Sequence, residues 1–397
     1  MKHETESFIF LFEKKMSNKQ KIVIAAVAVI VAAAGWYLFS GPKKAVKQID
    51  LEKKDETQKI INEGPVSPIS GLPCENWNRR PLAVTQPSDV QARPAAGLSE
   101  ADMVIELPAF TGSVTRLMGV YVCNIPEEIG AIRSLRHDNI HLAKGLDAIL
   151  MHWGYSIFAQ NILNKGVIDS SDCGGYCDRR EATGKMRLED TSRITRENVL
   201  KFYENTKYRT ENNFPGYPHQ EEAQMDQRPS GGHLRVAFKK PYDAEYDYDK
   251  ETNSYLRTWG ESIDTDRNNG NRIAPKNIAV IFAVSEQITL DQEYAGKGLE
   301  DPWAEVPEIK KTGAETINGR YNNLQLGDPW YDDKDSGDAF YYMNGKEYRG
   351  TWKKDRSSID SKLFFYDESG QEMKFVPGQI WVEILEPGQA LRWEPVA

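Results

Sequence analysis

Long apolar runs are scarce in this chain of 397 residues: only Ile22–Phe39 strings together a helix-length stretch without a charge. A surplus of positive charge is missing as well, because 50 Lys and Arg stand against 59 Asp and Glu, for a net charge of -9. That excludes a nucleic-acid binder working through a basic face, since clustered cations are what neutralise a phosphate backbone. Cysteine is rare, with only Cys74, Cys123, Cys173 and Cys177, so a small disulfide-dense scaffold is excluded too. No internal repeat occurs. Metal-ligand spacing is incomplete: Cys173 and Cys177 supply half a zinc site with no second pair, and His137 and His141 lack the Glu of a zinc helix. No metal and no cofactor is expected.

What is present begins with that apolar run. Eighteen helical residues reach about 27 Å, close to the hydrocarbon thickness of a bilayer. Lys14, Lys15, Lys19 and Lys21 precede it, and Trp36 and Tyr37 fit an interfacial belt. It reads as a transmembrane signal anchor over 22–39, with a cytoplasmic segment over 1–21. A cleaved signal peptide ending near Ala32–Ala34 is the alternative. The membrane is thus an expected partner and the soluble body is expected outside the cell. No Cys follows the run, so lipid attachment there has no nucleophile. Residues 40–69, rich in Lys, Glu, Asp and Gln, read as a linker.

From Pro81 strand and helix patterns alternate. Arg80–Thr85, Met103–Leu107, Thr115–Cys123 and Ala148–Trp153 read as strands; Asp138–Leu146, Ser156–Lys165 and Thr195–Asn205 read as helices. This predicts an α/β layered-sheet domain over 70–230. From Leu234 the signals are strands and turns, which predicts a β-rich domain over 231–390. Its clearest piece is Ala339–Met343, Asn344–Gly345, Lys346–Trp352, a hairpin marked by its Asn-Gly turn. The fold class expected is α+β or α/β with an N-terminal transmembrane helix. Cys173 and Cys177, spaced across two glycines, suit a local disulfide, while Cys123 in its apolar run suits a buried thiol.

Arg80–Pro81, Ala92–Asp102 and Ile129–Arg136 in the first half, with Gly345–Lys354 and Phe365–Glu372 in the second, are short motifs that resemble those of the YerB-like lipoprotein family, which carries two domains of unknown function. The first half of that family reads RP-x-A-V, ARPQSGLS-x-AD, GGITRF, IGPVRSAR and H-x-G-x-S. The corresponding stretches here are Arg80–Pro81, Ala92–Asp102, Gly112–Leu117, Ile129–Arg136 and His152–Ser156. The second half reads GKxxxGTWKK, FYDxxGxE and PGxTWIxxV, matched by Gly345–Lys354, Phe365–Glu372 and Pro377–Ile384. The resemblance spans about Ser70 to Glu386 and implies an exported, membrane-tethered protein, without handing over a reaction. One departure is Tyr217–Pro218–His219–Gln220, where the family has A-P-H-N.

Several residues suit chemistry. Arg116 opens an apolar strand; Arg133 and Arg136 bracket Ser134 just before a helix. Guanidinium forks and helix N-termini both suit phosphate or carboxylate oxygens, so these arginines are expected to bind an anionic cell-wall polymer or a phospho-lipid-linked glycan. Internal pairing with Glu100, Asp102, Glu106 or Asp147 is the competing use. His152 and Ser156 fall in a strand-to-helix turn, where an open sheet places its ligands. Gly154–Tyr155–Ser156 lacks the final Gly of a nucleophile elbow, so Ser156 also suits a helix cap. His152 and Glu106 are the acid/base candidates of an envelope hydrolase or transferase, the alternative to a binder; a scaffold for partner proteins is the third reading. His219, in a Pro/Gly loop between the two halves, is a further ligand candidate.

Overall fold

The computed structural model describes residues 64–109, 114–173, 175–288, 321–329 and 332–396. The expected anchor over 22–39 and most of the linker over 40–69 lie outside these. Among the described residues no helix is long and apolar enough to cross a membrane, so the expected spanning helix has no support in the structure.

The strands in chain order are β1 (Leu82–Pro87), β2 (Met103–Pro108), β3 (Thr115–Tyr121), β4 (Glu128–Gly130), β5 (Ile149–Met151), β6 (Ser170–Ser171), β7 (Asp178–Arg179), β8 (Ser192–Thr195), β9 (Gly231–Val236) and β10 (Ala244–Asp249). They continue as β11 (Ser254–Trp259), β12 (Ser262–Ile263), β13 (Asn277–Phe282), β14 (Ser285–Ile288), β15 (Tyr321–Leu324), β16 (Ser336–Met343), β17 (Lys346–Lys353), β18 (Phe364–Asp367), β19 (Ile380–Leu385) and β20 (Leu391–Val396). Three α-helices are found among the described residues: α1 (His137–Gly145), α2 (Ile157–Asn164) and α3 (Arg196–Asn205).

Ten strands form one sheet in the order β18-β17-β16-β13-β19-β2-β3-β1-β5-β6. Strands from both halves of the sequence are neighbours in it. β19 lies parallel to β2 on one side and parallel to β13 on the other. The expected succession of an α/β domain and a separate β-rich one is therefore corrected: the body is mostly β, built on one shared sheet. The physical reason is the run Ile380–Leu385, which is buried at every position. A strand with no polar face must be covered on both sides, and the sheet centre provides that cover. Only two single 3-10 turns, and no crossover helix, join β1 to β2, and β3 pairs antiparallel with both.

Alternation along β2 and β19 separates two cores. Met103, Ile105, Ile380, Val382 and Ile384 face a layer containing Ile140, Leu142, Phe158 and Ile162 from α1 and α2. Val104, Trp381 and Leu385 face Leu234, Tyr246 and Tyr255 of a second sheet, β12-β11-β10-β9-β20. The molecule is thus helix layer, long sheet, short sheet. Asn344 and Gly345 both take positive φ, 54° and 68°, and close the β16–β17 hairpin, the geometry that a two-residue turn between twisted strands requires.

Cys74 and Cys123 are joined in a disulfide, as are Cys173 and Cys177. Cys123 is thus not the buried free thiol that its apolar run suggested; its partner comes from the segment leading into the fold, 49 residues earlier. A link closing so long a loop restricts the unfolded chain by about 4 kcal/mol, against about 2 kcal/mol for the Cys173–Cys177 loop. Chemical denaturation of Cys74→Ser/Cys123→Ser should therefore show the larger loss of the two double variants.

Candidate anion site

The site grows from the turn that follows β1. Asp89, the residue before a 3-10 turn at Val90–Ala92, accepts three guanidiniums on one carboxylate oxygen. Arg116 Nη1 of β3 lies 3.3 Å from Asp89 Oδ2, Arg187 Nη2 3.6 Å and Arg133 Nη2 3.7 Å. Asp190 takes Arg133 Nη2 at 3.0 Å and Arg187 Nε at 2.6 Å. Glu189 stands 3.5 Å from Arg187 and 3.9 Å from Arg133. The Tyr242 hydroxyl donates to Asp89 Oδ1 at 3.5 Å. Backbone bonds hold the arginines in place: the Arg133 N–H donates to the Thr85 carbonyl of β1, and the Arg136 N–H to Asn139 Oδ1 in the first turn of α1.

Arg116, Arg133 and Arg136 thus come together, with Arg187 as an addition that no local sequence signal marked. Burial, then the nearby Arg136, push the Arg116 guanidinium down to about 9; Asp89 offsets part of this and Arg133 adds to it. Arg136 also donates to the carbonyls of Ser134 and Leu135. The Nε atoms of Arg116 and Arg133 are buried without a hydrogen-bond partner. Asp102 and Asp147, the other acids considered for these arginines, are occupied elsewhere: Asp102 by Ser67, Ser70 and two backbone N–H groups, Asp147 by Arg80 and Arg209.

Beneath this cluster lies a buried polar network. Ser88, next to Asp89, donates to Glu106 Oε1 at 3.0 Å, and Thr115 donates to the same oxygen at 2.5 Å. Glu106 Oε2 takes Arg257 Nη2 of β11 at 2.5 Å, and Arg257 also grips Asp264. Arg93 binds Asp264 at 2.7 Å and donates to Ser88 at 3.0 Å. Glu106, Arg257 and Glu383 show no exposure. In this position the acid/base candidate Glu106 reaches no solvent and serves as the counter-ion of Arg257. Register places Glu383 beside Glu106. Burial, then the neighbouring Glu106 charge, push Glu383 up to about 8, against the opposing pull of Arg257. Two guanidiniums, Arg93 and Arg257, face three carboxyls there, so a proton on Glu383 balances the charge.

His152 is buried; its Nδ1 meets the Gly154 carbonyl at 3.0 Å and Asp172 at 3.6 Å, and burial lowers its pKa against the pull of Asp172. Ser134 donates to the Trp153 carbonyl, so the His152–Ser156 turn and the Arg133–Arg136 segment lie side by side. Ser156 caps α2, accepting the Ala159 N–H at 3.2 Å. His219 lies apart from the arginine cluster in the bonds it makes: its Nε2 meets the Ile69 carbonyl at 3.1 Å, and its ring fills the space where a side chain on Gly71 would stand. Trp352 and Trp381 are core residues.

Residues 69–213 match the N-terminal domain of the protein family of unknown function DUF3048, and 234–301 with 311–382 match its C-terminal domain. The chain belongs to this family. A relative from Bacillus subtilis (strain 168), named "Putative lipoprotein YerB", is 30% identical over 273 residues, 64% of this chain and 79% of that one. The crystal structure of YerB from Bacillus subtilis superposes with a TM-score of 0.66 at 24% identity, over 83% of this chain and 99% of that one; at that identity the likeness speaks for the fold. The two matched domains contribute strands to the same sheet, and Arg257 of the second, with Glu383 just past its matched end, completes the network under Asp89 of the first.

Two expectations follow from these contacts. Ser156→Ala removes a helix cap, so it should cost about 1 kcal/mol in denaturation without changing anion affinity. Glu383 holds its proton up to about pH 8 when folded, against an ordinary 4.5. Between those values folding takes up a proton, so this group's contribution to stability falls as pH rises. Glu383→Gln, which keeps the shape of the protonated acid, should gain melting temperature relative to the parent, and the gain should widen from about pH 5 to about pH 8. A constant difference across that range would leave Glu383 without the proton.

Proposed function

We propose that this protein is a membrane-associated, extracytoplasmic binder of an anionic cell-envelope component, held through Arg116, Arg133, Arg136 and Arg187. The lipoprotein name of its relative supports the location, and two disulfides fit an oxidising compartment. One observation carries the binding role. Three guanidiniums, those of Arg116, Arg133 and Arg187, converge on one carboxylate oxygen of Asp89, and the Arg136 charge acts on Arg116 beside them. Like charges held this close repel, and an incoming phosphate or carboxylate relieves that repulsion while offering bidentate partners. Arg187 is the route in, with its side chain 40% exposed, while Arg116 forms the floor.

The hydrolase or transferase reading has less behind it. Its two acid/base candidates are both buried, Glu106 in an ion pair and His152 against a backbone carbonyl. Calorimetric titration with inorganic pyrophosphate and with glycerol phosphate tests the binder. Arg133→Ala should weaken binding at least tenfold, consistent with loss of a charge-assisted contact of about 1.5–3 kcal/mol, and added salt should weaken the parent. Unchanged affinity in Arg133→Ala would discard the reading.

A further inference from the structure

Resting on that reading, we infer that Asp89 stands in for the ligand: an incoming anion takes the place of its carboxylate among Arg116, Arg133 and Arg187, and the exchange favours a terminal phosphate carrying two charges. Asp89 Oδ2 lies 3.3 Å from Arg116, 3.6 Å from Arg187 and 3.7 Å from Arg133, and Oδ1 accepts the Tyr242 hydroxyl at 3.5 Å. A charge-assisted bond normally spans about 2.7–2.9 Å, so each of these contacts is loose. Asp190 in the same cluster is gripped differently. Arg187 reaches it with Nε at 2.6 Å and Nη2 at 3.2 Å, Arg133 adds a contact at 3.0 Å, and its side chain shows no exposure.

The Asp89 side chain has no local structural duty either. It sits where a cap would, before the 3-10 turn, yet makes no cap hydrogen bond. The backbone holds that turn instead, through the Ala92 N–H donating to the Asp89 carbonyl at 3.0 Å. The carboxylate can therefore turn aside while the loop stays in place, and its 14% exposure gives it solvent to turn into. Arg116 has no other carboxylate at ion-pair distance among the described residues, so whatever displaces Asp89 must satisfy Arg116. That sets the charge of the ligand. A phosphodiester or a carboxylate brings one charge and merely replaces the one it expels. A phosphate monoester brings close to two charges near neutral pH, with three oxygens to meet three guanidiniums.

Calorimetry on the full chain at about pH 7.5 compares glycerol 3-phosphate, a monoester, with glycerophosphoglycerol, a diester of single charge. The parent should bind the monoester about tenfold more tightly than the diester. Asp89→Asn, which keeps the shape and removes the charge, should tighten both by about tenfold, whereas Asp89→Glu should tighten neither. A residue that only positions the arginines would weaken binding when altered, so the sign decides. Asp89→Ser repeats the measurement should Asp89→Asn not fold. Inorganic phosphate is the third ligand: a match with glycerol 3-phosphate assigns the site to free phosphate, weaker binding to an esterified one, and both support the exchange. Glycerol 3-phosphate binding that is unchanged or weaker in Asp89→Asn, or equal parent affinities for monoester and diester, would overturn the exchange and leave the anion site standing. Binding of none of the three by parent or variant would overturn the anion site as well.

Discussion

The guanidinium of Arg257 is buried between the two sheets, and the other polar groups there are arranged around it. It bridges Glu106 and Asp264, donates from Nε to the Tyr246 hydroxyl oxygen, and lies 4.6 Å over the Trp381 ring. A charge this deep is tolerated only when its partners are in place; removing one partner from a buried pair costs about 3–5 kcal/mol. Burial alone draws its proton affinity down, yet the surrounding Tyr246, Glu106, Asp264 and Glu383 raise it well above the ordinary value. The same logic acts on Asp264, which burial pushes up and which Arg93 and Arg257 pull down overall. The network therefore fixes how the short sheet sits on the long one, since Arg257 comes from β11 and Glu106 from β2.

That constraint reaches the surface through two hydroxyls. Ser88 and Thr115 both donate to Glu106, and each is directly followed in sequence by a member of the surface cluster, Asp89 and Arg116. The carboxylate that gathers three arginines is thus anchored from below as well as by the arginines themselves. Arg93 ties the same turn to the short sheet through Asp264. The two charge clusters differ in balance. The lower one closes on itself once Glu383 keeps a proton. The upper one gathers three arginines on Asp89 and keeps a buried Nε without a hydrogen-bond partner on both Arg116 and Arg133.

Local signals made parts of this legible. Asn344–Gly345 declared its hairpin because only left-handed dihedrals fit that turn. Thr195 and Ser156 marked the starts of α3 and α2 because a side-chain oxygen there satisfies a first-turn N–H. Arg116, Arg133 and Arg136 stood out by their place beside strand and helix ends. Their organiser Asp89 did not, because nothing near it in sequence reveals a partner 98 residues on at Arg187. Pairing of β19 with β2 was invisible for the same reason. An apolar run states that it must be covered on both faces but not which strand will lie beside it. Glu106 looked reactive as a carboxylate at a strand end; its role was decided by Arg257, 151 residues away.

The long-range pairing also makes the two matched domains of this chain hard to treat as independent units. β19 sits between β13 and β2, so the second domain's last matched strand lies at the middle of the shared sheet. Val382 and Ile384 bury against the helix layer, while Trp381 and Glu383 face Arg257. Withdrawing that strand would expose the apolar edges of β2 and β13 and strip Arg257 of its aromatic lid at the same time. Glu106 would then face a mobile counter-ion, and Ser88 and Thr115 would lose the fixed acceptor that orients the loop carrying Asp89. The arginines would still carry their charge, but nothing would hold them converged. Convergence of the arginines on this scaffold is accordingly a property of the closed sheet, although all four lie in the first matched domain.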